Sequence, residues 1–262
     1  MPSRIAIIGA GNLGSWLAVH LARAGHSVHL CTRRDPGLLQ IDGLPPLLLP
    51  HYLDAGPPAD IAFLTTKTYD NPIALRRVNA PVLAAIQNGI CQPGIPVLSY
   101  VYIEPQQGVR QSFPPPGPHF TIPAGTPLPV LFRHTPIQFD EAEDFRSAAW
   151  RKMLHNCISN PLTALAGRGL EILREALYRS WAEKLLAEAL PIAAAAGARV
   201  DGAEILAKLA SYPPGTRTSM LQDRLAGKPL ELAALNGHLI ELGRQFDLPT
   251  REHENLLTML SR

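Results

Sequence analysis

A glycine-rich stretch near the N-terminus constrains the fold more than any other part of the chain. Residues 4–8 are typical of a buried strand, and residues 14–24 are typical of a helix. Gly9, Gly11 and Gly14 match the spacing G-x-G-x-x-G. In a strand–turn–helix unit these glycines permit a tight turn, let the backbone approach a pyrophosphate and let the helix pack on its strand. The stretch therefore predicts dinucleotide binding, with a purely structural turn as the alternative.

The start of this helix supplies the candidate phosphate-binding groups. Backbone N–H groups at a helix N-terminus point outward, where they attract negative charge. The predicted cofactor-binding residues of this turn are Gly9, Gly11, Asn12, Leu13 and Gly14.

The end of the second predicted strand, 27–31, indicates which dinucleotide binds. An acidic side chain at this point of the fold favours NAD, and a basic one accommodates the 2′-phosphate of NADP. Here Arg33 and Arg34 are followed by Asp35. Two guanidinium groups can hold a phosphate through forked hydrogen bonds, so we predict NADP. A solvated basic turn is the alternative, and Asp35 is the residue that argues for NAD.

Two polar residues follow further strand-like segments. Lys67 comes after the apolar segment 60–66, and Asn88 comes after 82–86. Ligands bind at the carboxyl ends of parallel strands, so both side chains are candidates to contact the nicotinamide or the substrate. The alternatives are a surface charge for Lys67 and, for Asn88 before Gly89, an ordinary Asn-Gly turn.

The chain changes character near residue 147. Strand-like runs end there, and helical periodicity continues to the C-terminus. We predict an α/β protein with a Rossmann dinucleotide-binding domain at 1–147 and an all-α domain at 148–262.

The elements around this boundary follow from local pattern. Strands are predicted at 96–103 and, in short pieces, at 128–139, with a loop between them that runs through 114–118; a helix is predicted to begin within 140–147. The later predicted helices lie at 181–196, 203–210, 218–226 with Thr216 as the cap, 230–245 and from Pro249 onward.

Three polar residues fall on one face of the first helix of the C-terminal half. Lys152, Asn156 and Asn160 are spaced four residues apart, so they lie within about 80° of arc. Asparagine is a poor helix former, and solvated faces usually carry Glu and Lys. The pattern favours a polar binding site over a solvated helix face.

Composition excludes several other classes of protein. The 262 residues are 46% hydrophobic with a net charge of +2 and contain no Lys/Arg run of the nucleic-acid-binding type, so no nucleic-acid partner is expected. No run of 18 apolar residues exists, so no membrane span is expected. The three cysteines lie far apart, which fits neither a disulfide framework nor a zinc site and suits a reducing cytoplasm. The nine histidines show no metal-ligand spacing.

Taken together, these motifs resemble the ketopantoate reductase (2-dehydropantoate 2-reductase) family over nearly the whole chain. The motifs that carry the resemblance are Gly9-x-Gly11-x-x-Gly14, Lys67, Asn88-Gly89, the segment from Trp150 through Lys152, Asn156 and Asn160 to Leu165, Ser219 to Asp223, Glu231 and Asn236-Gly237. The resemblance implies a helical domain like that of 6-phosphogluconate dehydrogenase, an active site in the cleft between the domains, and NADPH-dependent reduction of 2-dehydropantoate to pantoate.

The resemblance also implies roles for individual residues. Lys152 corresponds to the catalytic lysine, whose ammonium can stabilise the developing oxyanion and supply a proton. Glu231 could bind the substrate hydroxyl and keep Lys152 charged. The remaining implied positions are Asn156, Asn160 and Ser219 at the substrate, Lys67 and Asn88 beside nicotinamide and substrate, and Arg33 at the adenosine phosphate.

Other functions remain open at this point. Ala233 stands where the family commonly has an acidic residue, so a different branched 2-oxo acid is an alternative substrate. A non-catalytic NADP-binding sensor and an oxidoreductase that works in the oxidative direction are further alternatives. A small-molecule 2-oxo acid is the expected partner, and a homodimer is possible.

Overall fold

Two compact units make up the chain. The computed structural model describes residues 2–113, 115, 117 and 119–261, so Pro114, Pro116 and Pro118 of the predicted loop lie outside the described residues. The first unit comprises Met1–Gln87 and Gln92–Phe145; the second comprises Asn88–Cys91 and Arg146–Arg262. The short Asn88 segment thus groups with the helical part of the chain.

A parallel sheet forms the centre of the first unit. Its six strands follow the order β3-β2-β1-β4-β5-β6, with every neighbouring pair parallel. The order reverses beside β1, as in a Rossmann sheet, and this confirms the predicted fold class. The strands are β1 (Arg4–Ile8), β2 (Ser27–Cys31), β3 (His51–Tyr52), β4 (Ile61–Leu64), β5 (Leu83–Ala85) and β6 (Ile95–Pro96). The predicted bounds of the first two strands are confirmed.

Helix α1 (Asn12–Arg23) covers this sheet with an apolar face. Trp16, Leu17 and Leu21 are buried against the inward residues of β1 and β4, among them Ile5 and Phe63. The other helical turns of the unit are Thr68–Asp70, α2 (Asn71–Ala74), Leu75–Arg77 and α3 (Pro129–Phe132). The central strands are buried on both faces, as expected of a parallel sheet between two layers.

The segment after β6 differs from the prediction. In place of one strand at 96–103 and a loop beyond it, the chain forms β7 (Leu98–Ser99), β8 (Tyr102–Gln106), β9 (Val109–Phe113) and β10 (Phe120–Pro123). Strands β8 and β9 form a hairpin whose turn residues, Gln107 and Gly108, have φ of 48° and 84°. Two positive φ angles are what a tight two-residue hairpin turn requires.

The prediction for 128–139 is also wrong in part. Pro129 begins the short helix α3, because its fixed φ suits a first helical turn. Residues Phe139–Ala142 form β11, which pairs in parallel with β10, and the helix begins at Phe145, within the predicted range of 140–147. The first difference has a local cause, and the second arises from pairing with β10, which a local pattern does not predict.

The second unit is a helical bundle with its own core. Its elements are α4 (Phe145–Ala166), a short turn Leu170–Arg174, α5 (Ala176–Ala195), α6 (Gly202–Ser211), α7 (Ser219–Leu225), a π-helical turn Ala233–Gly237, α8 (His238–Gln245) and α9 (Arg251–Leu260). Buried residues of α4 and α5, including Leu154, Ile158, Leu185 and Ile192, form the centre of its apolar cluster.

Two helix starts in this unit lie later than predicted. The residue that caps α7 is Thr218 and not Thr216, because the Thr218 hydroxyl accepts a hydrogen bond from the backbone N–H of Leu221 at 3.2 Å. The predicted helix at 230–245 begins only with the π turn at Ala233. Glu231 therefore lies just before the helix.

Candidate active site

The glycine turn is fixed to the sheet by a threonine. Gly9 has φ of 105°, which favours glycine, and the Thr65 hydroxyl donates to the carbonyl of Gly9 at 2.8 Å. A Cβ at Gly14 would collide with the backbone carbonyl of Gly9 and the hydroxyl of Thr65. Gly14 is therefore required by the packing of helix on strand.

Gly11 has a different environment. It is the N-cap of α1, and a Cβ built on it would meet nothing within 4 Å. Packing within the protein therefore does not explain the glycine. Asn12, Leu13 and Gly14 form the first turn of α1, where N–H groups have no acceptor within the helix. Open space beside such N–H groups fits the pyrophosphate of a dinucleotide.

The predicted phosphate-binding arginine lies at the end of β2. Arg33 is 67% exposed and pairs with Asp70 at 3.3 Å. Asp35, which argues for NAD, accepts a hydrogen bond from the backbone N–H of Gly37 at 2.8 Å and faces His51 at 3.5 Å. Asp35 is thus engaged within its own loop, and Arg33 is accessible at the surface.

Lys67 lies at the carboxyl end of β4 in a segment held by amide contacts. The buried Gln87, at the end of β5, donates from Nε2 to the carbonyl of Thr66 at 2.8 Å and to Oδ1 of Asn71 at 2.6 Å. These bonds fix the chain on both sides of Lys67, and the carbonyl of Lys67 accepts from the N–H of Asp70 at 3.0 Å. The half-buried lysine therefore lies on a rigid turn.

The second unit brings Lys152 and Glu231 together. Lys152 is half-buried on α4, and burial lowers its pKa from 10.5 to about 8, although the nearby negative charge of Glu231 acts to raise it. Glu231 is 5% exposed. At neutral pH the lysine is thus mostly charged, yet it gives up its proton more readily than an exposed lysine.

Two asparagines connect Glu231 to α4. Asn88 donates from Nδ2 to Oε2 of Glu231 at 2.9 Å, and its Oδ1 accepts from Nδ2 of Asn156 at 3.1 Å. Asn156 lies one turn after Lys152 on α4, as the helical spacing predicts. Hydrogen bonds therefore join three of the predicted site residues, Glu231, Asn88 and Asn156, and the charge of Glu231 acts on a fourth, Lys152.

A π-helical turn holds the segment that follows Glu231. The N–H of Gly237 donates to the carbonyl of Leu232 at 2.8 Å, and a Cβ at Gly89 would lie 2.6 Å from the carbonyl of Ala234. The fully buried Asn236 donates to the carbonyl of Cys157 on α4 at 2.9 Å. This turn and α4 are thereby joined, which fixes Glu231 beside Lys152. Such π turns are frequent at functional sites.

Asn160 and Ser219 are less closely associated with this cluster. Within the part of the chain that the structure describes, no hydrogen bond joins either side chain to Lys152, Glu231, Asn88 or Asn156. Asn160 is buried on the same face of α4, and Ser219 is exposed at the first position of α7. The start of α7 is tied to α4 by a hydrogen bond of 2.6 Å between the hydroxyls of Thr163 and Thr218.

Sequence reasoning missed His155. Its Nδ1 lies 3.4 Å from Oδ1 of Asn156, so it extends the polar cluster by one residue. No motif or spacing marks this histidine, because its role depends on a contact with its chain neighbour.

The described residues hold no group of three His, Cys, Asp or Glu side chains able to bind a metal ion, and none of their helices is long and apolar enough to cross a membrane.

Comparison with known proteins identifies the family. Residues 5–94 match the model of ketopantoate reductase PanE/ApbA, and residues 144–262 match that of its C-terminal domain. The 2-dehydropantoate 2-reductase of Mycobacterium tuberculosis is 31% identical over 100% of this chain and 98% of its own length. The enzyme of the same name from Caulobacter vibrioides is 26% identical over 98% of each chain.

Solved structures agree on the fold. A 2-dehydropantoate 2-reductase from Geobacter metallireducens superimposes with a TM-score of 0.86 at 24% identity, covering 98% of this chain and 99% of that one. A dimeric ketopantoate reductase from Staphylococcus aureus gives 0.87 at 21% identity, covering 98% and 97%. The chain belongs to the ketopantoate reductase family, and it is an oxidoreductase with a dinucleotide-binding domain.

Proposed function

We propose that this family member reduces 2-dehydropantoate to pantoate with NADPH as the hydride donor. The relatives from Mycobacterium tuberculosis and Caulobacter vibrioides carry the name of that reaction. In this proposal residues 1–147 bind the nucleotide, and residues 148–262 bind the substrate and form a homodimer. The dimeric relative from Staphylococcus aureus supports the last point.

The half-buried Lys152 beside Glu231 is the observation that carries the proposal. A bound reduced nicotinamide would supply the hydride for the keto carbon of the substrate, and negative charge would then develop on the keto oxygen. The ammonium of Lys152 stabilises this charge and donates the proton that converts the oxygen to a hydroxyl. A pKa of about 8 suits this role, because the donor is charged at neutral pH and still acidic.

Glu231 has two tasks in this mechanism. Its negative charge raises the pKa of Lys152 and so keeps the lysine protonated despite burial. One of its oxygens accepts a hydrogen bond from Asn88, and since a carboxylate can accept several hydrogen bonds, a hydroxyl of the substrate would be a further donor. Asn88, Asn156, Asn160 and Ser219 supply further polar groups for the substrate.

The first unit supports binding of NADPH. Gly11 offers open space for a pyrophosphate at the start of α1, and Gly9 with Gly14 shapes the turn. Arg33 has an exposed guanidinium that fits a 2′-phosphate, whereas Asp35 is engaged by its own loop. Lys67, on its rigid turn, would contact the nicotinamide end.

The three free thiols fit the reducing cytoplasm that we propose as the location of this protein.

Oxidation of NADPH in the presence of 2-dehydropantoate tests the proposal. We expect turnover that is faster with this substrate than with other branched 2-oxo acids at equal concentration, and faster with NADPH than with NADH. Binding of NADPH without turnover of any 2-oxo acid would refute the proposed reaction and support a sensor. Preference for another branched 2-oxo acid would keep the reaction type and change the substrate.

A further inference from the structure

The hydrogen-bonded cluster around Glu231 continues to a residue with no assigned role. Asn88 donates to Glu231, Asn156 donates to Asn88, and the ring of His155 lies 3.4 Å from Oδ1 of Asn156. The four residues, in the order His155, Asn156, Asn88, Glu231, form a chain that we call the amide relay. Its use in catalysis rests on the proposed function.

The carboxylate fixes the direction of every bond in the amide relay. An ionised carboxylate only accepts hydrogen bonds, so Asn88 must present its NH₂ group to Glu231 and its oxygen to Asn156. Asn156 must then present its NH₂ group to Asn88, which leaves its oxygen facing Nδ1 of His155. Two oxygens or two NH₂ groups would otherwise meet. The last bond therefore needs a proton on Nδ1.

A second contact requires the same tautomer. The Ser159 hydroxyl donates its only hydrogen to the carbonyl of His155 at 2.7 Å. Toward Nδ1 of His155, 3.5 Å away, the hydroxyl oxygen is thus an acceptor. Ser159 and Asn156 independently favour the Nδ1–H form.

The other ring nitrogen lacks a partner. Nε2 of His155 is buried and has no hydrogen-bond partner among the described residues. A proton there would be a buried donor without an acceptor, which disfavours both the Nε2–H tautomer and the imidazolium. Burial lowers the pKa of His155 to about 4; its bond with Asn156 opposes this shift, and Lys152 and Lys208 add to it. The ring is therefore neutral at physiological pH.

We propose that His155 is a positioning residue for the reaction, which as the neutral Nδ1–H tautomer donates to Asn156 and so holds Asn156 and Asn88 firmly in the orientation that the carboxylate of Glu231 requires. Without the donor on Nδ1, Oδ1 of Asn156 loses a hydrogen bond, and the Asn156 amide is held less firmly. Asn88 is then also held less firmly, so its NH₂ group is placed less precisely at Glu231. His155 thus acts on the substrate site through Asn156 and Asn88 and touches no reacting atom.

A matched pair of variants separates orientation from packing. His155→Asn and His155→Leu replace the ring with side chains that have nearly the same shape as each other. Only asparagine keeps a donor where Nδ1 lies. We expect His155→Leu to raise KM for the 2-oxo acid about three- to tenfold, the scale of one hydrogen bond between neutral groups. His155→Asn should recover most of this loss, and KM for NADPH should stay unchanged in both variants.

An equal rise in KM for the 2-oxo acid in the two variants would show a packing role and overturn the proposal. An unchanged KM in His155→Leu would also overturn it. Nitrogen NMR of the wild-type imidazole gives an answer that does not depend on turnover. We expect Nδ1 to carry the proton and the ring to stay neutral down to about pH 5, given its pKa of about 4. An Nε2–H tautomer would overturn the proposal even in an enzyme that reduces 2-dehydropantoate. An inactive wild type with an Nδ1–H ring would refute only the proposed function.

Discussion

Replacing Lys152 with methionine should make the protein more stable and much less active. Methionine keeps an unbranched apolar side chain of similar length but carries no charge. The fold lowers the pKa of Lys152 from 10.5 to about 8, so it disfavours the charged form. At about 1.4 kcal/mol per tenfold change in the equilibrium, the charge costs about 3 kcal/mol of folding free energy. This figure already includes the attraction of Glu231, because that attraction acts on the same pKa.

The sign of the effect fixes its dependence on pH. In the unfolded chain the lysine is charged up to about pH 10.5, whereas in the folded protein it is charged up to about pH 8. The cost is therefore complete below pH 8 and disappears as the pH rises toward 10.5. Lys152→Met should raise the free energy of unfolding by up to about 3 kcal/mol at pH 7 and by progressively less above pH 8.

Urea unfolding followed by tryptophan fluorescence measures this difference. Two of the three tryptophans, Trp150 and Trp181, lie in the second unit, so the signal reports on the unit that contains Lys152. Lys184→Met, an exposed position on α5, is the matched control and should change stability by less than about 0.5 kcal/mol. Loss of the proton donor should lower kcat by about 10²–10⁴ with KM for NADPH unchanged. The reasoning is refuted if Lys152→Met is less stable than the wild type at pH 7, or if the gap stays constant with pH.

Two further predictions concern the nucleotide site. Gly11→Ala should change the free energy of unfolding by less than about 0.5 kcal/mol, because the new Cβ meets no protein atom. The same Cβ would occupy the space proposed for the pyrophosphate, so NADPH binding measured by calorimetry should weaken. Gly14→Ala should lower the free energy of unfolding by about 3 kcal/mol, because its Cβ collides with the carbonyl of Gly9. Equal losses of stability in the two variants would contradict the conclusion that packing requires Gly14 but not Gly11. Asp70→Asn should tighten the binding of NADPH about two- to fivefold, because it frees Arg33 from an exposed ion pair worth about 0.2–1 kcal/mol. The binding of NADH should not change. An equal gain in NADH affinity would contradict the assignment of Arg33 to the 2′-phosphate.

The sequence predicts the Rossmann half where its signals are local. The apolar runs of β1 and β2 are bounded by Gly9 and by the polar Thr32-Arg33 turn, so their limits can be predicted correctly. The β8–β9 hairpin escapes prediction because its strands are stabilised by pairing across the turn, and Pro105 within β8 disguises it. The only local signal is Gln107-Gly108, a weaker form of the usual Asn-Gly hairpin turn.

The candidate site likewise contains residues that the local sequence predicts and residues that it does not. The common face of Lys152 and Asn156 follows from helical spacing alone. The bond from Asn88 to Glu231 spans 143 positions; the position after a strand suggests Asn88, but only the resemblance to a family suggests Glu231. His155 could not be predicted, because its role depends on which nitrogen carries the proton. That is decided by the carboxylate at the far end of the amide relay.

The pH dependence of kcat in the wild type and in Glu231→Gln tests the central claim most directly, namely that Lys152 donates the proton and Glu231 keeps it charged. Above its pKa of about 8 the amine is neutral, so wild-type kcat should fall about tenfold per pH unit. In Glu231→Gln the fall should begin at lower pH, because the charge that raises the pKa of Lys152 is gone. A wild-type kcat that stays level through about pH 9, or a fall that begins at the same pH in both proteins, would contradict the claim.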